Sequence, residues 1–382
     1  MIYDAIVIGL GGMGSAALFH LARRGARVLG LEQFDIAHDR GSSHGQSRII
    51  RLAYAEHPDY VPLLRRAYEL WRELEALAHE KLLVVTGGID AGAADSAIVE
   101  GSLASCAIHD IPYELLDAYT LNQRFPGYRL PSDMMGVYQC DAGFLLPEAC
   151  VAAYVAAACA RDADVRTHEK VMSWHVEDDE VLVITDRARH RARRLVITAG
   201  PWSRQLVPML ERLAIPERQV MLWTQPLSRQ LFAVDRFPVF NMEAREGRFY
   251  GFPVDASGGF KIGKYNHRRE EVADPDSMDR ECRAEDETVL REGISRYFPE
   301  ADGPTLGMKT CLFTNSPDEH FIIDRLPAAK HVAIAAGFSG HGFKFCSVVG
   351  EILAELALDG AASLGIDLFR LDRSALRGLS AA

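Results

Sequence analysis

The sequence predicts an α/β (α+β) protein with two domains, one built on a parallel sheet and the other on a second β-sheet. Three observations predict this class. A strand, a glycine-rich turn and a helix open the chain at residues 5–24, helix and strand patterns alternate at residues 148–200, and residues 219–313 carry a series of short strand patterns. Because these segments are interleaved along the chain, both domains are expected to be discontinuous.

The chain is long enough for this arrangement. Its 382 residues, with 48% apolar content, can bury a large core and form two structural domains. It has no repeats, no low-complexity stretch and no linker rich in Pro, Gly or Ser, so the domain limits follow from the order of the elements. We expect the first domain to comprise residues 1–85, 145–215 and 318–382, and the second to comprise residues 86–144 and 216–317.

The first unit, residues 5–32, has the pattern of a dinucleotide-binding turn. An apolar strand at 5–8 and a helix at 15–24 flank Gly9-x-Gly11-x-x-Gly14, in which the glycines allow a tight turn, a close approach to a pyrophosphate and close helix packing. A second strand at 27–31 leads to Glu32, about 20 residues downstream of the glycines. In dinucleotide-binding folds an acidic residue at this spacing binds a ribose hydroxyl. This carboxylate would repel a 2′-phosphate, so the sequence predicts a Rossmann-like domain for FAD or NAD rather than NADP.

The next elements are two helices and a run of strands. Residues 60–80 carry apolar side chains at helical spacing with charges between them, which is typical of an amphipathic helix packed on a core. A helix at 148–160 follows. Short apolar runs predict strands at 165–167, 171–176, 181–185 and 194–198, and the last of these ends at a glycine, as in a strand of the nucleotide-binding sheet.

The C-terminal half completes both domains. Residues 219–313 are interpreted as β-rich, with strand pieces at 249–253 and 259–263. A strand at 332–336 then leads through a glycine-rich turn into a helix from residue 342. This order predicts free amides at the helix start, facing a site of negative charge.

Charge and composition exclude several classes of protein. The net charge of −11 argues against a nucleic-acid binder. The most apolar late stretch, residues 343–358, contains three charged residues and is too short to span a bilayer, so no membrane segment is expected. The first strand begins almost at the first residue, without a charged and apolar leader, so we expect a cytoplasmic protein.

The seven cysteines do not form a recognisable framework. They are odd in number and lack CxxC spacing, so neither a metal site nor a set of disulfides is expected, and most are interpreted as small buried residues. The cysteines are Cys106, Cys140, Cys150, Cys159, Cys282, Cys311 and Cys346.

Several long and unusual motifs lie outside the dinucleotide fingerprint. They are Gly41-Ser-x-His44-Gly-x-x-Arg48-Ile-Ile-Arg51, Tyr250-Gly-Phe-Pro, Lys261-x-Gly263, Cys311, Asp318-Glu-His-Phe-Ile-Ile-Asp324 and Gly337-Phe-Ser-Gly-His341-Gly-Phe-Lys344. With these motifs the chain resembles, almost from end to end, the monomeric sarcosine oxidase family of flavoprotein amine oxidases, whose relatives include N-methyltryptophan oxidase and pipecolate oxidase.

The resemblance implies FAD bonded covalently through the sulfur of Cys311. A thiolate is suited to this bond because it attacks an electrophilic methylene, and the cations Lys309, Arg48 or Arg51 could favour the ionised form. By the same resemblance, Arg48 and His44 surround the flavin ring and favour its reduced, anionic state. The residues expected to bind the cofactor are Gly9, Gly11, Gly12, Met13, Gly14, Glu32, Ser42, His44, Arg48, Cys311, Gly340, Gly342 and Lys344.

The resemblance also assigns roles around the substrate. Arg51 and Lys344 fall where the family binds the substrate carboxylate, with a planar fork and a point charge. Lys261 matches the lysine that promotes the reaction with oxygen, because a fixed positive charge stabilises a forming anion. Lys261, Arg48, His44 and Tyr250 are the expected catalytic residues.

The chain departs from the family pattern in the substrate pocket. Phe313 stands in place of a tyrosine, Tyr265 in place of a histidine and Asn241 in place of a methionine. With Arg51, Lys344 and Tyr250 these are the expected substrate-binding residues. Changing the polar groups changes which substituent fits, so sarcosine itself is in doubt, and an amino acid with a larger secondary or cyclic amine is expected.

The expected activity is therefore an FAD-dependent oxidase of N-alkyl or cyclic secondary-amine amino acids. The enzyme would oxidise the C–N bond to an imine that hydrolyses, with O2 reduced to hydrogen peroxide. It would act as a monomer without a macromolecular partner. Two alternatives remain open: a related flavin dehydrogenase or D-amino-acid or glycine oxidase, and a flavin-bearing subunit without catalysis of its own.

Overall fold

The computed structural model describes residues 2–255 and 258–378. In this part of the chain the strands form three sheets, of eight, nine and three strands. The α-helices of the described residues are α1 (Gly12–Arg23), α2 (Tyr60–Ala78), α3 (Ala97–His109), α4 (Ala118–Arg124), α5 (Pro147–Cys159), α6 (Ser203–Leu206), α7 (Ala284–Tyr297) and α8 (Cys346–Leu358).

The strands of the described chain occur singly or in runs between the helices. They are β1 (Ile2–Ile8), β2 (Val28–Leu31), β3 (Arg48–Ile50), β4 (Leu83–Val85), β5 (Gly88–Ala93), β6 (Glu114–Asp117), β7 (Met134–Gln139), β8 (Gly143–Leu145), β9 (Asp164–Arg166), β10 (Val171–Glu177), β11 (Glu180–Thr185), β12 (Arg189–Ile197), β13 (Ile215–Thr224), β14 (Val239–Ala244), β15 (Gly247–Phe252), β16 (Phe260–Lys264), β17 (Glu270–Glu271), β18 (Thr305–Asn315), β19 (Ile322–Leu326) and β20 (Ala329–Ala336).

The eight-stranded sheet has a parallel centre. Strand β1 pairs in parallel with β2 and β12, and β12 pairs in parallel with β20. Along β1, Ala5 and Val7 lie in one apolar cluster and Ile6 and Ile8 in another, so both faces of the sheet are buried. Helices α1 and α8 cover the first face and pack against each other. The carboxyl ends of the parallel strands therefore open on one edge, where ligands bind in sheets of this kind.

The nine-stranded sheet is mostly antiparallel and has one apolar face. Phe240, Phe249, Phe260 and Ile262 belong to a cluster that also contains Leu290 and other side chains of α7. Since side chains alternate along a strand, the residues between them face the other way. That second face of the sheet, rather than its core, is directed at the cleft described below. The three-stranded sheet, in the order β3-β8-β4, carries the basic segment that ends at Arg51.

The structure confirms the predicted α/β class and most of the predicted elements. The strands of the eight-stranded sheet come from residues 2–31, 164–197 and 322–336, and those of the nine-stranded sheet from residues 88–139, 215–271 and 305–315. The proposed domain limits themselves stay a prediction. Among the described residues, no helix combines the length and the apolar character that crossing a membrane requires.

Two elements differ from the sequence interpretation. The region 219–313 is not purely β, because α7 lies within it; the helix has three acids in its first turn and buries Leu290 and Ile294 on the sheet. The helix expected from residue 342 starts with a short 3-10 turn at Phe343–Phe345, and regular α8 begins only at Cys346. The charged Lys344 is buried in that turn, so the apolar pattern alone could not locate the helix start.

Candidate functional site

A cleft lies where the edge of the eight-stranded sheet faces the nine-stranded sheet. It holds about 1750 Å³ of empty space, the open mouth included. Fourteen of the predicted residues line it: Gly9, Gly11, Gly12, Met13, Glu32, Ser42, Arg48, Arg51, Tyr250, Tyr265, Phe313, Gly340, Gly342 and Lys344. The structure thus brings together motifs that are separated by more than 300 residues of sequence.

Five predicted residues are absent from the cleft wall. Gly14 lies in the first turn of α1, and His44, Asn241, Lys261 and Cys311 lie buried behind the lining residues. Each of the four buried side chains is 1–2% exposed.

One end of the cleft is formed by the start of α1. Gly11, Gly12 and Met13 line the wall there, and the helix has neither a side-chain cap nor an acidic residue in its first turn. The amide of Gly12 donates to the Ser43 hydroxyl at 3.0 Å, so the other amides of the first turn are the ones offered to an anion, with the helix dipole in the favourable direction. Gly14 allows this arrangement because a Cβ atom at 14 would lie 1.8 Å from the carbonyl oxygen of Gly9.

Glu32 lies at the end of β2 as predicted. Its carboxylate accepts hydrogen bonds from the amide of Leu10 at 2.8 Å and from the amide of Phe34 at 3.1 Å. These bonds fix an acid that lines the cleft beside the glycine turn. The position suits a ribose hydroxyl of a dinucleotide.

The predicted residues on the nine-stranded sheet share one of its faces. Strand pairing aligns Asp90 with Asn241, Asn241 with Tyr250, and Tyr250 with Gly263. A Cβ atom at position 263 would lie 2.3 Å from the Tyr250 ring, so Gly263 leaves space for that ring. Because side chains alternate along a strand, Lys261 and Tyr265 lie on the same face as Gly263, and Cys311 and Phe313 lie on the equivalent face of β18.

Three aromatic rings from this face stand near one another in the cleft. The ring centres of Tyr250 and Tyr265 are 5.4 Å apart, and those of Tyr265 and Phe313 are 5.7 Å apart. Burial raises the pKa of both tyrosines above its usual value, so both are uncharged phenols. The wall they form is apolar with two hydroxyl groups.

Lys261 is buried and fully engaged. Its Nζ donates to the carbonyl oxygens of Gly45 at 2.6 Å and Ser47 at 2.8 Å, and to the Ser47 hydroxyl at 3.1 Å. Burial and the neighbouring Arg48 lower the pKa of Lys261 well below its usual value. The three oxygen acceptors act in the opposite sense, because an ammonium group donates three hydrogen bonds. The lysine joins the nine-stranded sheet to the basic segment.

The turn at Gly45 is held from its other side by Glu148. The carboxylate of Glu148, in the first turn of α5, accepts the amide of Gly45 at 2.6 Å and that of Gln46 at 3.2 Å. The turn is therefore fixed between Glu148 and Lys261. His44 precedes it, and within the described residues both of its ring nitrogens are buried without a hydrogen-bond partner. Burial, Arg48 and Lys309 lower the pKa of His44 well below its usual value, so the ring is neutral.

Cys311 lies beside Arg48 on strand β18. Its Sγ is 3.6 Å from a terminal nitrogen of Arg48 and 3.9 Å from the carbonyl oxygens of Gly41 and Ser42. Of the three cations expected near the thiol, Arg48 makes this contact, whereas Lys309 forms an ion pair with Asp39 at 3.0 Å and Arg51 is engaged elsewhere. The thiol is thus adjacent to one arginine and covered by the segment 41–42.

Arg51 is held by two carboxylates. Its Nε lies 2.9 Å from Asp90, and one terminal nitrogen lies 3.0 Å from Glu56. Burial opposes the charge, but the two carboxylates raise the pKa of Arg51 and keep it cationic. Burial raises the pKa of Asp90, whose other oxygen has no partner among the described residues.

Lys344 lies in the turn after β20 and is 4% exposed. Its Nζ donates to the carbonyl oxygen of His341 at 2.7 Å, and its own carbonyl accepts the Trp71 indole. Burial and the nearby Arg51 lower the pKa of Lys344 to about 7. His341 remains neutral, because burial lowers its pKa to about 3, and it is held by the Tyr54 hydroxyl at 2.6 Å.

Sequence reasoning missed three charged residues around Arg51. Glu56 and Asp90 bind it directly, and Arg248 donates to Glu56 at 2.6 Å. Arg248 could have been found, because it lies two residues before Tyr250 on the same strand and therefore shares its face. Glu56 and Asp90 had no comparable signal, since their pairing depends on how distant segments pack.

These features fit an FAD molecule. The start of α1 suits a pyrophosphate, and Glu32 suits a ribose. The cleft continues from both to the wall formed by Arg48, Tyr250 and Phe252. The unpaired nitrogens of His44 add buried hydrogen-bonding capacity behind Arg48. When bound, FAD supplies a two-electron acceptor.

Comparison with known proteins agrees with this geometry. A family model described as FAD dependent oxidoreductase matches residues 4–356. The chain belongs to this family. The oxidoreductase is 44% identical over 375 residues to a monomeric sarcosine oxidase of Streptomyces avermitilis, with 96% of each chain covered. It is 36% identical over 374 residues to an N-methyl-L-tryptophan oxidase of Salmonella arizonae, with 98% of this chain and 99% of the relative covered. The resemblance inferred from the sequence motifs is confirmed.

A solved structure supports the fold of this oxidoreductase. The open form of NikD, an amino acid oxidase essential for nikkomycin biosynthesis, matches with a TM-score of 0.85 and 26% identity, covering 96% of this chain and 97% of that one. The match extends over both large sheets. It confirms the predicted two-sheet α/β class.

Proposed function

We propose that this FAD-dependent oxidoreductase oxidises N-alkyl or cyclic secondary-amine amino acids at the carbon next to nitrogen. The product would be an imine that hydrolyses in water, and O2 would be reduced to hydrogen peroxide. The observation that carries this proposal is the pair of buried cations, Arg51 and Lys344, that lines the same cleft as three aromatic rings. Relatives at 36% and 44% identity bear the names of secondary-amine oxidases, which supports the same substrate class.

The two cations would bind the substrate carboxylate. Arg51 offers a planar fork, and Lys344 offers two protons beyond the one donated to His341. A carboxylate held by both is fixed in position, so the rest of the substrate is directed along the aromatic wall. Orientation of this kind contributes to rate by keeping the reacting atoms within reach.

The aromatic wall would accept the amine end of the substrate. Tyr250, Tyr265 and Phe313 carry no charge, and their surroundings favour an amine in its neutral form. A neutral amine has the free electron pair that oxidation requires. A ring or an N-alkyl group would pack against these three aromatic rings, which is why a substrate larger than sarcosine is proposed.

The remaining roles are part of the same proposal. Lys261 would supply the positive charge near the site of oxygen reduction, supported by its position behind the cleft wall with three oxygen acceptors. Cys311 would attach FAD covalently, supported by its burial beside Arg48. We further propose a monomeric, cytoplasmic protein divided at the domain limits given above.

Anaerobic mixing with a substrate panel tests the activity. The flavin absorbance at 450 nm should bleach with N-methyl amino acids, proline or pipecolate and stay unchanged with glycine or D-alanine. Admission of air should restore the colour and release peroxide in equal amount. Bleaching by primary amino acids alone would contradict the proposal, and so would reoxidation by a dye but not by oxygen. The latter result would identify a dehydrogenase.

A further inference from the structure

Glu56 is shared between two arginines. Its Oε2 accepts from Arg51 at 3.0 Å, and its Oε1 accepts from Arg248 at 2.6 Å. The carboxylate is 10% exposed, against 5% for the Arg51 side chain and 25% for that of Arg248. Each arginine thus donates to one oxygen of Glu56, and neither arginine binds both.

This sharing leaves part of Arg51 available. Arg51 uses Nε for Asp90 and one N–H of NH2 for Glu56, while its NH1 has no protein partner among the described residues. A carboxylate with both oxygens free would take the NH1 and NH2 side of a guanidinium as a two-bond pair. In the structure Glu56 makes one bond to Arg51, through Oε2, and its Oε1 is directed to Arg248 instead.

Arg248 is itself fixed in place. Its Nε donates to the Asn241 side-chain oxygen at 2.9 Å, and its guanidinium lies 4.5 Å from the centre of the Tyr265 ring. Strand β15 places it on the same face as Tyr250. Asn241 and Tyr265 are two of the positions at which the sequence motifs predict a departure from the family pattern.

We propose that Arg248 is a positioning residue that holds Glu56 to a single bond with Arg51 and so keeps the NH1 of Arg51 free for the substrate carboxylate. This inference rests on the proposed function, in which Arg51 binds that carboxylate. Without Arg248, both oxygens of Glu56 turn to Arg51 and compete with the substrate.

Binding of cyclohexanecarboxylate tests the inference. This ligand has the shape of a cyclic amino acid with carbon in place of nitrogen, so it binds without reacting, and calorimetry measures it on the FAD-loaded protein. Arg248→Met should raise the dissociation constant about tenfold, the scale of one lost or gained charge contact. Arg248→Lys keeps one bond to Glu56 and should give an intermediate value. The limiting rate of flavin reduction at saturating amine should change less than the dissociation constant.

The double variant Glu56→Gln with Arg248→Met separates positioning from a general structural role. A glutamine does not compete as an anion for Arg51, so the double variant should bind the carboxylate about as tightly as the parent protein. Arg268 provides the matched control. With Arg248 it lines a second cavity, which shares Tyr265 and His341 with the cleft, but it pairs with Glu270 at 3.3 Å. Arg268→Met should leave binding unchanged.

Two results would overturn the inference: unchanged binding in Arg248→Met, or weak binding that Glu56→Gln fails to restore. Thermal unfolding of each variant identifies those that do not fold, and Arg248→Lys then carries the test. If no secondary amine bleaches the flavin of the parent protein while the binding pattern holds, the proposed function fails and the positioning role stands.

Discussion

The Nζ atom of Lys261 lies 2.6 Å from the carbonyl oxygen of Gly45, which connects the nine-stranded sheet to the basic segment 41–51. The residues are 216 positions apart in sequence. The contact joins a buried lysine to the residue that directly follows His44, and His44 and Arg48 are the two residues expected around the flavin ring. The same lysine lies 4.4 Å from the centre of the Phe252 ring, which lines the cleft. Its charge is therefore held near the cleft without being exposed in it.

Replacing Lys261 by methionine should slow reoxidation of the reduced flavin much more than its reduction. Loss of one preorganised charge near a developing anion commonly costs about 10²–10³ in rate. Stopped-flow absorbance at 450 nm measures the two half-reactions separately. Equal slowing of both would argue that Lys261 only holds the Gly45 turn.

Lys264 is the matched control for this experiment. It lies three residues later at the end of β16 and is partly exposed, with its Nζ 5.7 Å from the Phe249 ring on the opposite side of the sheet from the cleft. Lys264→Met removes the same charge without touching the turn, so both half-reactions should proceed at parent rates.

The sequence could predict which residues belong to the site where local periodicity decides the geometry. Lys261 and Gly263 are two apart on a strand, so their common face followed from alternation once the strand was recognised. The glycine turn before α1 was equally local. The partners of Arg51 were not predictable, because Asp90 lies 39 residues away on β5 of the nine-stranded sheet. Contacts that depend on how sheets and loops pack together leave no periodic signal.

Carboxylate binding should weaken as the pH rises through about 7, the pKa of Lys344 in the folded protein. Burial and Arg51 lower this pKa from its usual 10.5, so the side chain loses its proton, and its attraction for an anion, in this range. His341 has a pKa of about 3 and stays neutral throughout, while Arg51 and Arg248 stay charged and the pKa of Glu56 lies well below its usual value.

Calorimetric titration with cyclohexanecarboxylate at several pH values measures this effect. At pH values above the pKa, the dissociation constant should increase by up to about tenfold per pH unit, because binding requires one proton on Lys344. Lys344→Met should bind more weakly and without this pH dependence. If the parent protein bound cyclohexanecarboxylate equally well below and above neutral pH, Lys344 would not belong to the carboxylate site.

Cys311→Ser should abolish covalent attachment of FAD. The parent protein, precipitated with acid, should give a yellow pellet and an intact mass increased by one FAD, because a thioether survives denaturation. The serine variant should give a colourless pellet and the mass of the polypeptide alone, since a hydroxyl is a far weaker nucleophile at neutral pH than a thiol.

Cys346 is the control for this assignment, because it is a buried cysteine that itself lines the cleft near Gly12. Burial raises the pKa of the Cys346 thiol, which favours its unreactive form. Cys346→Ser should therefore keep the yellow pellet. A pellet that loses its colour only when Cys346 is replaced would move the attachment to the other end of the cleft.

Replacing Gly14 by alanine should lower stability, whereas replacing Gly11 by alanine should lower the affinity for FAD. A Cβ atom at 14 would lie 1.8 Å from the Gly9 backbone, which cannot move without opening the turn, so Gly14→Ala should lower the free energy of unfolding by about 3 kcal/mol or more. At position 11 the nearest atom is the Ser43 hydroxyl oxygen at 3.5 Å, an ordinary contact. Gly11→Ala should therefore fold with nearly parental stability and lose affinity for FAD, because its methyl group enters the space of the pyrophosphate. Denaturant unfolding of the apoprotein and equilibrium titration with FAD measure the two effects, and equal destabilisation of both apoproteins would contradict the separate roles given to the two glycines.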